Sequence, residues 1–194
     1  MTDRAAPQTT SQDPYAAPPV AVSQQWPGDR REPPRLAPEK EMLVGYLDNV
    51  RRTFELKCEG LSAEQLGLRS VEPSTMSLHG LTRHLAGVER WWLRINFARE
   101  DVPMLFYTDD NPDLDFDPPA DADAFTDLEV WREECEESRR VVAAHDLDDE
   151  GRMLLGAGDS FSLRWVVLRM IAEYAQHNGH ADLLRERIDG ATGA

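Results

Sequence analysis

Glu173-Tyr174-Ala175-Gln176-His177-Asn178-Gly179-His180 sets a carboxylate and an imidazole four residues apart inside a run with helical periodicity. Met170, Ala181 and Leu184 continue the face of Glu173 and His177, because side chains three and four apart stack along one side of an α-helix. The pattern predicts a core-facing helix that carries an acid and a base inward. A buried, unpaired carboxylate is costly unless a cation or hydrogen bonds compensate it. A metal ion is one such compensator, and His84, far upstream, is the candidate third ligand.

Outward from this stretch, the helix begins near Ser160 or Ser162 and ends at about Ile188. Pro73 and Ser77 punctuate the entry to an earlier helix whose stripe is Leu78, Leu81, Leu85, Val88 and Trp92, with His84 inside it. A first helix starts near Pro38, with Glu39 and Glu41 at its positive end and Leu43, Leu47, Val50 and Phe54 at helical spacing. Gly60 stops it, and Ser62 caps a short turn through Leu66. Another helix is expected from about Asp123 to His145, through Phe125, Leu128, Trp131, Cys135, Val141 and Val142. Strand-like alternation is confined to the neighbourhood of Met153–Leu155. Residues 100–123 form a connection with nine Asp or Glu, four prolines and no basic residue. Asp109-Asp110-Asn111-Pro112-Asp113 within it lacks the glycine and closing glutamate of a calcium loop, so a solvated crossover is expected. Four long helices with one long crossover between the second and third make an all-α four-helix bundle.

Residues 1–35 hold seven of the thirteen prolines and few large apolar side chains. They cannot offset the entropy of ordering and read as a disordered tail, leaving 36–194 as the bundle. Tyr15 and Trp26 are the tail's two aromatic exceptions. The formal charge of −15 resides in the bundle. That acidity argues against nucleic acid and anionic membrane as partners. No apolar run reaches membrane-spanning length, and the N-terminus has no signal-like apolar core. Cys58 and Cys135 read as reduced, buried thiols, and the protein as cytoplasmic.

With the helices of His84 and Glu173 as neighbours, two histidines and a carboxylate converge. That set suits a divalent metal, at ligand distances of ~2.0–2.2 Å for zinc. Ligand type alone also admits Fe, Ni or Mn. Three protein ligands leave one position open for water or substrate. His180 is an alternative to Glu173 as ligand, or orients His177 from behind. The bland readings also stand at this point: His84 as a hydrogen-bonded core histidine, and Glu173 as a surface residue on a rotated stripe. His79 and His145 fall at expected helix ends and read as solvated. No phosphate-binding glycine loop and no Gly-x-Ser-x-Gly elbow are present.

Three segments resemble the DinB/YfiT-like superfamily of metal-dependent four-helix bundles, in particular an actinobacterial branch of unknown function whose relatives look like mycothiol or bacillithiol S-transferases and thiol-dependent isomerases. They are Met76-Ser77-Leu78-His79-Gly80-Leu81-Thr82-Arg83-His84-Leu85-Ala86 with Glu89-Arg90-Trp91-Trp92, then Phe161-Ser162-Leu163-Arg164-Trp165, then Glu173-Tyr174 with His177-Asn178-Gly179-His180-Ala181-Asp182-Leu183-Leu184-Arg185. The resemblance covers about residues 38–191. It implies a metal triad of His84, Glu173 and His177, with Zn2+ the leading ion and Ni2+, Fe2+ or Mn2+ also compatible. It implies further that mycothiol, or a similar low-molecular-weight thiol, is a co-substrate conjugated to small electrophiles, and that a homodimer is compatible with the family. The rival expectations are a thiol-dependent isomerase and a non-enzymatic metal-binding bundle acting in stress or dimerisation. Only Lys40 and Lys57 are lysine among 21 basic residues, which fits the high-GC coding of an actinobacterial host. Arg83, Arg90 and Tyr174 flank the triad in sequence, with surface placement an equal alternative for the two arginines.

Overall fold

A computed structural model describes residues 31–107, 114–154 and 158–193. Tyr15, Trp26 and the Asp109–Asp113 run lie outside the described residues. The described part is helical apart from one small hairpin, as an all-α bundle requires. None of its helices is long and apolar enough to cross a membrane.

Helix α1 spans Glu39–Cys58 and follows Pro38, with Glu39 and Glu41 in its first turn and Lys57 in its last. The short α2, Ala63–Gly67, opens on a reciprocal cap. The Ser62 hydroxyl accepts from the Gln65 amide, and the Gln65 side chain accepts from the Ser62 amide. Helix α3, Leu78–Glu89, is capped by Ser77, which accepts from Gly80 N–H. It continues without a break into a π-helical segment, Arg90–Phe97. Helix α4, Ala124–Ala144, is capped by Asp123, and α5, Leu163–Asp189, by Ser162. Helix α1 packs along α5, while α3 packs on α4 and on α5. The second and third long helices are joined by the long crossover.

Some details depart from the sequence expectations. The strand expected around Met153–Leu155 falls just before it, at β1, Glu150–Arg152, paired antiparallel with β2, Ser160–Ser162, and Leu155 lies outside the described residues. Phe125 is exposed rather than part of the α4 stripe. On α3 and its π-helical extension, Val88 and Trp92 are only partly buried, whereas Glu89 and Leu93 are fully enclosed. The inward face is thus turned by one residue at that level. Arg31 to Pro34, the end of the expected tail, lie along α1. Asn49 Nδ2 donates to the Arg31 carbonyl at 2.9 Å, and a Cβ on Gly45 would meet Pro34 Cδ at 2.8 Å.

Glu89 is held by a buried polar network at the centre of the bundle. Arg51 donates to both of its carboxylate oxygens, at 2.8 and 2.7 Å. The Tyr174 hydroxyl donates to Glu89 Oε1 at 2.7 Å and accepts from Trp131 Nε1 at 2.8 Å. Bidentate pairing and the extra hydroxyl offset the desolvation that a buried ion pair suffers. Arg90 and Arg94 of the π-helical segment both reach Glu134 on α4. Phe54, Leu81, Leu85, Met170 and Trp131 are among the side chains that fill the apolar core around this network.

Candidate metal centre

Each helical residue turns the chain by about 100°, so neighbours on α5 serve different sides of the bundle. Tyr174 faces the Glu89 network at the end of α3, while Glu173 and His177 face His84 in its middle. His84 on α3 points back at them. Its Nε2 lies 3.2 Å from Glu173 Oε1, and His177 Nε2 lies 3.3 Å from the same oxygen. One donor atom from each of His84, Glu173 and His177 falls within 4.8 Å of the other two. Glu173 and His177 are buried, and the His84 side chain is 18 % exposed.

Further residues complete the surroundings. Asp115 of the crossover faces His84 Nδ1 at 2.8 Å. Phe116 stacks on the His84 ring, with centroids 4.4 Å apart. Arg169, one turn before Glu173, pairs with Glu173 Oε2 at 2.5 Å. His180 stands behind His177, Nδ1 to Nδ1 at 3.3 Å, outside the convergent set. The crossover comes this close because Gly80, one turn before His84, has no side chain. A Cβ there would lie 2.8 Å from the Phe116 carbonyl oxygen.

These contacts set the electrostatics. Hydrogen bonds from His177 and then His84, with Arg169 nearby, hold the Glu173 carboxyl far below the usual carboxylate range against the opposing effect of burial. Burial opposes charge on His84, but the carboxylates of Asp115 and Glu173 outweigh it and raise its pKa. Burial and the neighbouring His177 lower that of His180.

The donor set fits a divalent cation. Tetrahedral coordination at ~2.0–2.2 Å requires donors separated by roughly 3.4 Å, and the two imidazole–carboxylate separations are 3.2 and 3.3 Å. Both carboxylate partners of His84 are acceptors, so a proton on Nδ1 toward Asp115 leaves the Nε2 lone pair facing the cluster.

Three sequence candidates lie elsewhere. Arg83 is buried against Asp127 at 2.8 Å, with its guanidinium over the Phe106 ring. Arg90 pairs with Glu134, and Tyr174 belongs to the Glu89 network. Nor is His79 solvated: it is buried, with Nε2 2.7 Å from Asp127. His145 is exposed at the end of α4, as expected. Asp115, Phe116 and Arg169 were missed by sequence reasoning. Arg169 had a usable signal, its i,i+4 spacing to Glu173. Asp115 had none, being one of nine acids in an irregular segment.

A helical bundle with a His–Glu–His cluster between two of its helices carries the donor set that divalent cations take in helix-lined cores. Within it, this chain belongs to the mycothiol S-transferase family, whose sequence model matches residues 42–190. No curated protein matches the chain. Among solved structures, the chain is similar to a conserved protein from Enterococcus faecalis, at 13% identity and a TM-score of 0.59. That match covers 80% of this chain and 100% of the other, and it shows the common fold.

Proposed function

We propose that this protein is a divalent-metal-dependent thiol S-transferase that conjugates mycothiol, or a similar low-molecular-weight thiol, to electrophiles. The observation that carries the reading is the convergence of His84, Glu173 and His177 on one point beside an open cavity. Membership of the mycothiol S-transferase family supplies the thiol. Zn2+ is the proposed ion, and the same donors accept Ni2+, Fe2+ or Mn2+.

A divalent cation held by His84, Glu173 and His177 would supply the Lewis acidity that lets a thiol ionise near neutral pH. The chain's own residues prepare for this. Glu173 brings the negative charge, and Arg169 engages its Oε2 while Oε1 faces the two imidazoles. Asp115 holds the His84 proton on Nδ1. His180 Nδ1 stands 3.3 Å from His177 Nδ1 and orients that ring from behind. Three protein donors leave a position for the sulfur. The two unpaired, buried cysteines suit a reducing cytoplasm, and the division into a 1–35 appendage and a 36–194 bundle is part of the same proposal.

Metal analysis followed by conjugation of mycothiol to chlorodinitrobenzene tests the reading. Metal-dependent conjugation that disappears in folded His84→Ala and His177→Ala proteins is the expected result. A metal-free protein whose melting is unaltered by chelator would sink it.

A further inference from the structure

A cavity of about 240 Å³ opens beside His84. One wall is a single face of α3 and its π-helical extension, where His84, Gly87, Val88 and Trp91 follow at helical spacing. The other wall is the crossover, with Met104, Leu105 and Tyr107. Val88, Trp91, Met104 and Leu105 make most of this lining apolar. Asp115 and His84, already engaged with each other, are joined at the lining only by Tyr107 as a further titratable side chain. Among the described residues, no lysine or arginine lines it.

These features select the chemistry of an occupant. An anionic ligand would meet no lysine or arginine on the described walls and would face Asp115, so the walls themselves favour an uncharged occupant. Concave, largely apolar walls with an indole favour a neutral, flat, apolar group. Size narrows the choice: a cavity of about 150 Å³ holds benzene, so about 240 Å³ admits one substituted ring. Gly87 contributes to that room, since a Cβ there would meet nothing nearer than the Leu105 carbonyl oxygen at 3.7 Å.

We propose that this cavity is the electrophile subsite and that it takes neutral, single-ring aromatic or similarly apolar electrophiles. The proposal rests on the thiol-transferase reading and names its second substrate. With an aryl chloride, the ionised sulfur donates its electron pair to the ring carbon bearing chlorine. The carbon–sulfur bond forms, the carbon–chlorine bond breaks, and chloride leaves with its electron pair. The thiol proton has already passed to solvent on ionisation.

Two measurements test the subsite separately from the reaction. In the first, the metal-free protein is titrated calorimetrically with 1,3-dinitrobenzene, an unreactive ring without a leaving group. Binding by the wild type and its loss in Gly87→Leu, which fills the cavity, is the expected result. A wild type that does not bind this ring, or a folded Gly87→Leu protein that binds it equally well, overturns the proposal. In the second, the zinc-loaded protein is assayed with mycothiol and either chlorodinitrobenzene or iodoacetamide. The ratio of kcat/KM for the ring over the small amide falls about tenfold or more in Gly87→Leu. In Met104→Ala, which widens the crossover wall, a chloronitronaphthalene gains relative to chlorodinitrobenzene. Conjugation whose selectivity is unchanged in both variants also overturns the proposal. Ring binding lost in Gly87→Leu without conjugation by the wild type supports the subsite and sinks the transferase reading.

Discussion

Asp115 and His84 face each other across 2.8 Å, although the first lies in an irregular crossover and the second in the middle of a helix. The carboxylate is placed to accept from Nδ1, while Nε2 faces Glu173 and His177. Such a partner fixes both tautomer and ring orientation. Asp115→Ala is therefore expected to weaken zinc binding about 10–100-fold, read by competition with a chromophoric chelator. Asp115→Asn keeps an acceptor oxygen and loses less. Equal affinity in all three proteins would remove Asp115 from the site.

Gly80 has no side chain to reach the proposed ligands, yet it allows the Phe116 backbone to press against α3. Gly80→Ala forces that backbone outward while favouring the helix by about 1 kcal/mol. Helix content measured by circular dichroism is expected to persist while zinc affinity falls. Undiminished affinity would show that the crossover is not held there.

Glu173 and His180 differ in where they point. Oε1 of Glu173 meets both imidazoles, whereas His180 meets only the far nitrogen of His177. Glu173→Gln is expected to lower metal stoichiometry more than His180→Ala, as measured by elemental analysis after gel filtration. The reverse order would exchange their roles.

Removing Glu89 leaves Arg51 buried without its bidentate partner. Loss of one member of a buried pair costs about 3–5 kcal/mol, so Glu89→Ala is expected to shift the urea midpoint sharply downward. A shift worth less than about 1 kcal/mol would show that water replaces the carboxylate.

Burial pushes the Cys58 thiol from 9.0 up to about 12. The unfolded chain releases this proton above its ordinary value, while the folded chain retains it. Stability is fully present below that value and declines as pH rises toward the folded one, by up to about 1.4 kcal/mol per pH unit. Denaturant melts from pH 8 to 11 should show a shallower decline in Cys58→Ala than in the wild type. In the native state near pH 8, neither Cys58 nor Cys135 should react with a thiol reagent, since both are buried and held protonated. Rapid labelling of folded protein would contradict this.

Much of this molecule follows from local sequence. Proline and acidic residues open α1, serines or aspartate cap α2 to α5, and Gly190 closes α5 with a φ of 79°. Periodicity places Met170, His177, Ala181 and Leu184 on a buried face. Local spacing also brought Glu173 and His177 to one side, since a helix has a fixed repeat. Three things were beyond its reach. The π-helical widening at Arg90–Phe97 turns Leu93 inward in place of Trp92, and no periodicity template anticipates it. His79, Arg83 and Asp127 bury one another across two helices, so their burial depends on a partner from another element. The choice of Asp115 among nine crossover acids depends on where a chain without regular repeat touches α3.

Interactions within a few residues set the α-helices, their caps and the four-residue interval between Glu173 and His177, and these are legible in the chain's local pattern. Only the tertiary structure decided that His84 meets that pair, that Asp115 stands behind it and that an apolar cavity opens beside it. Those relations join residues far apart in the chain, and packing alone fixes their distances.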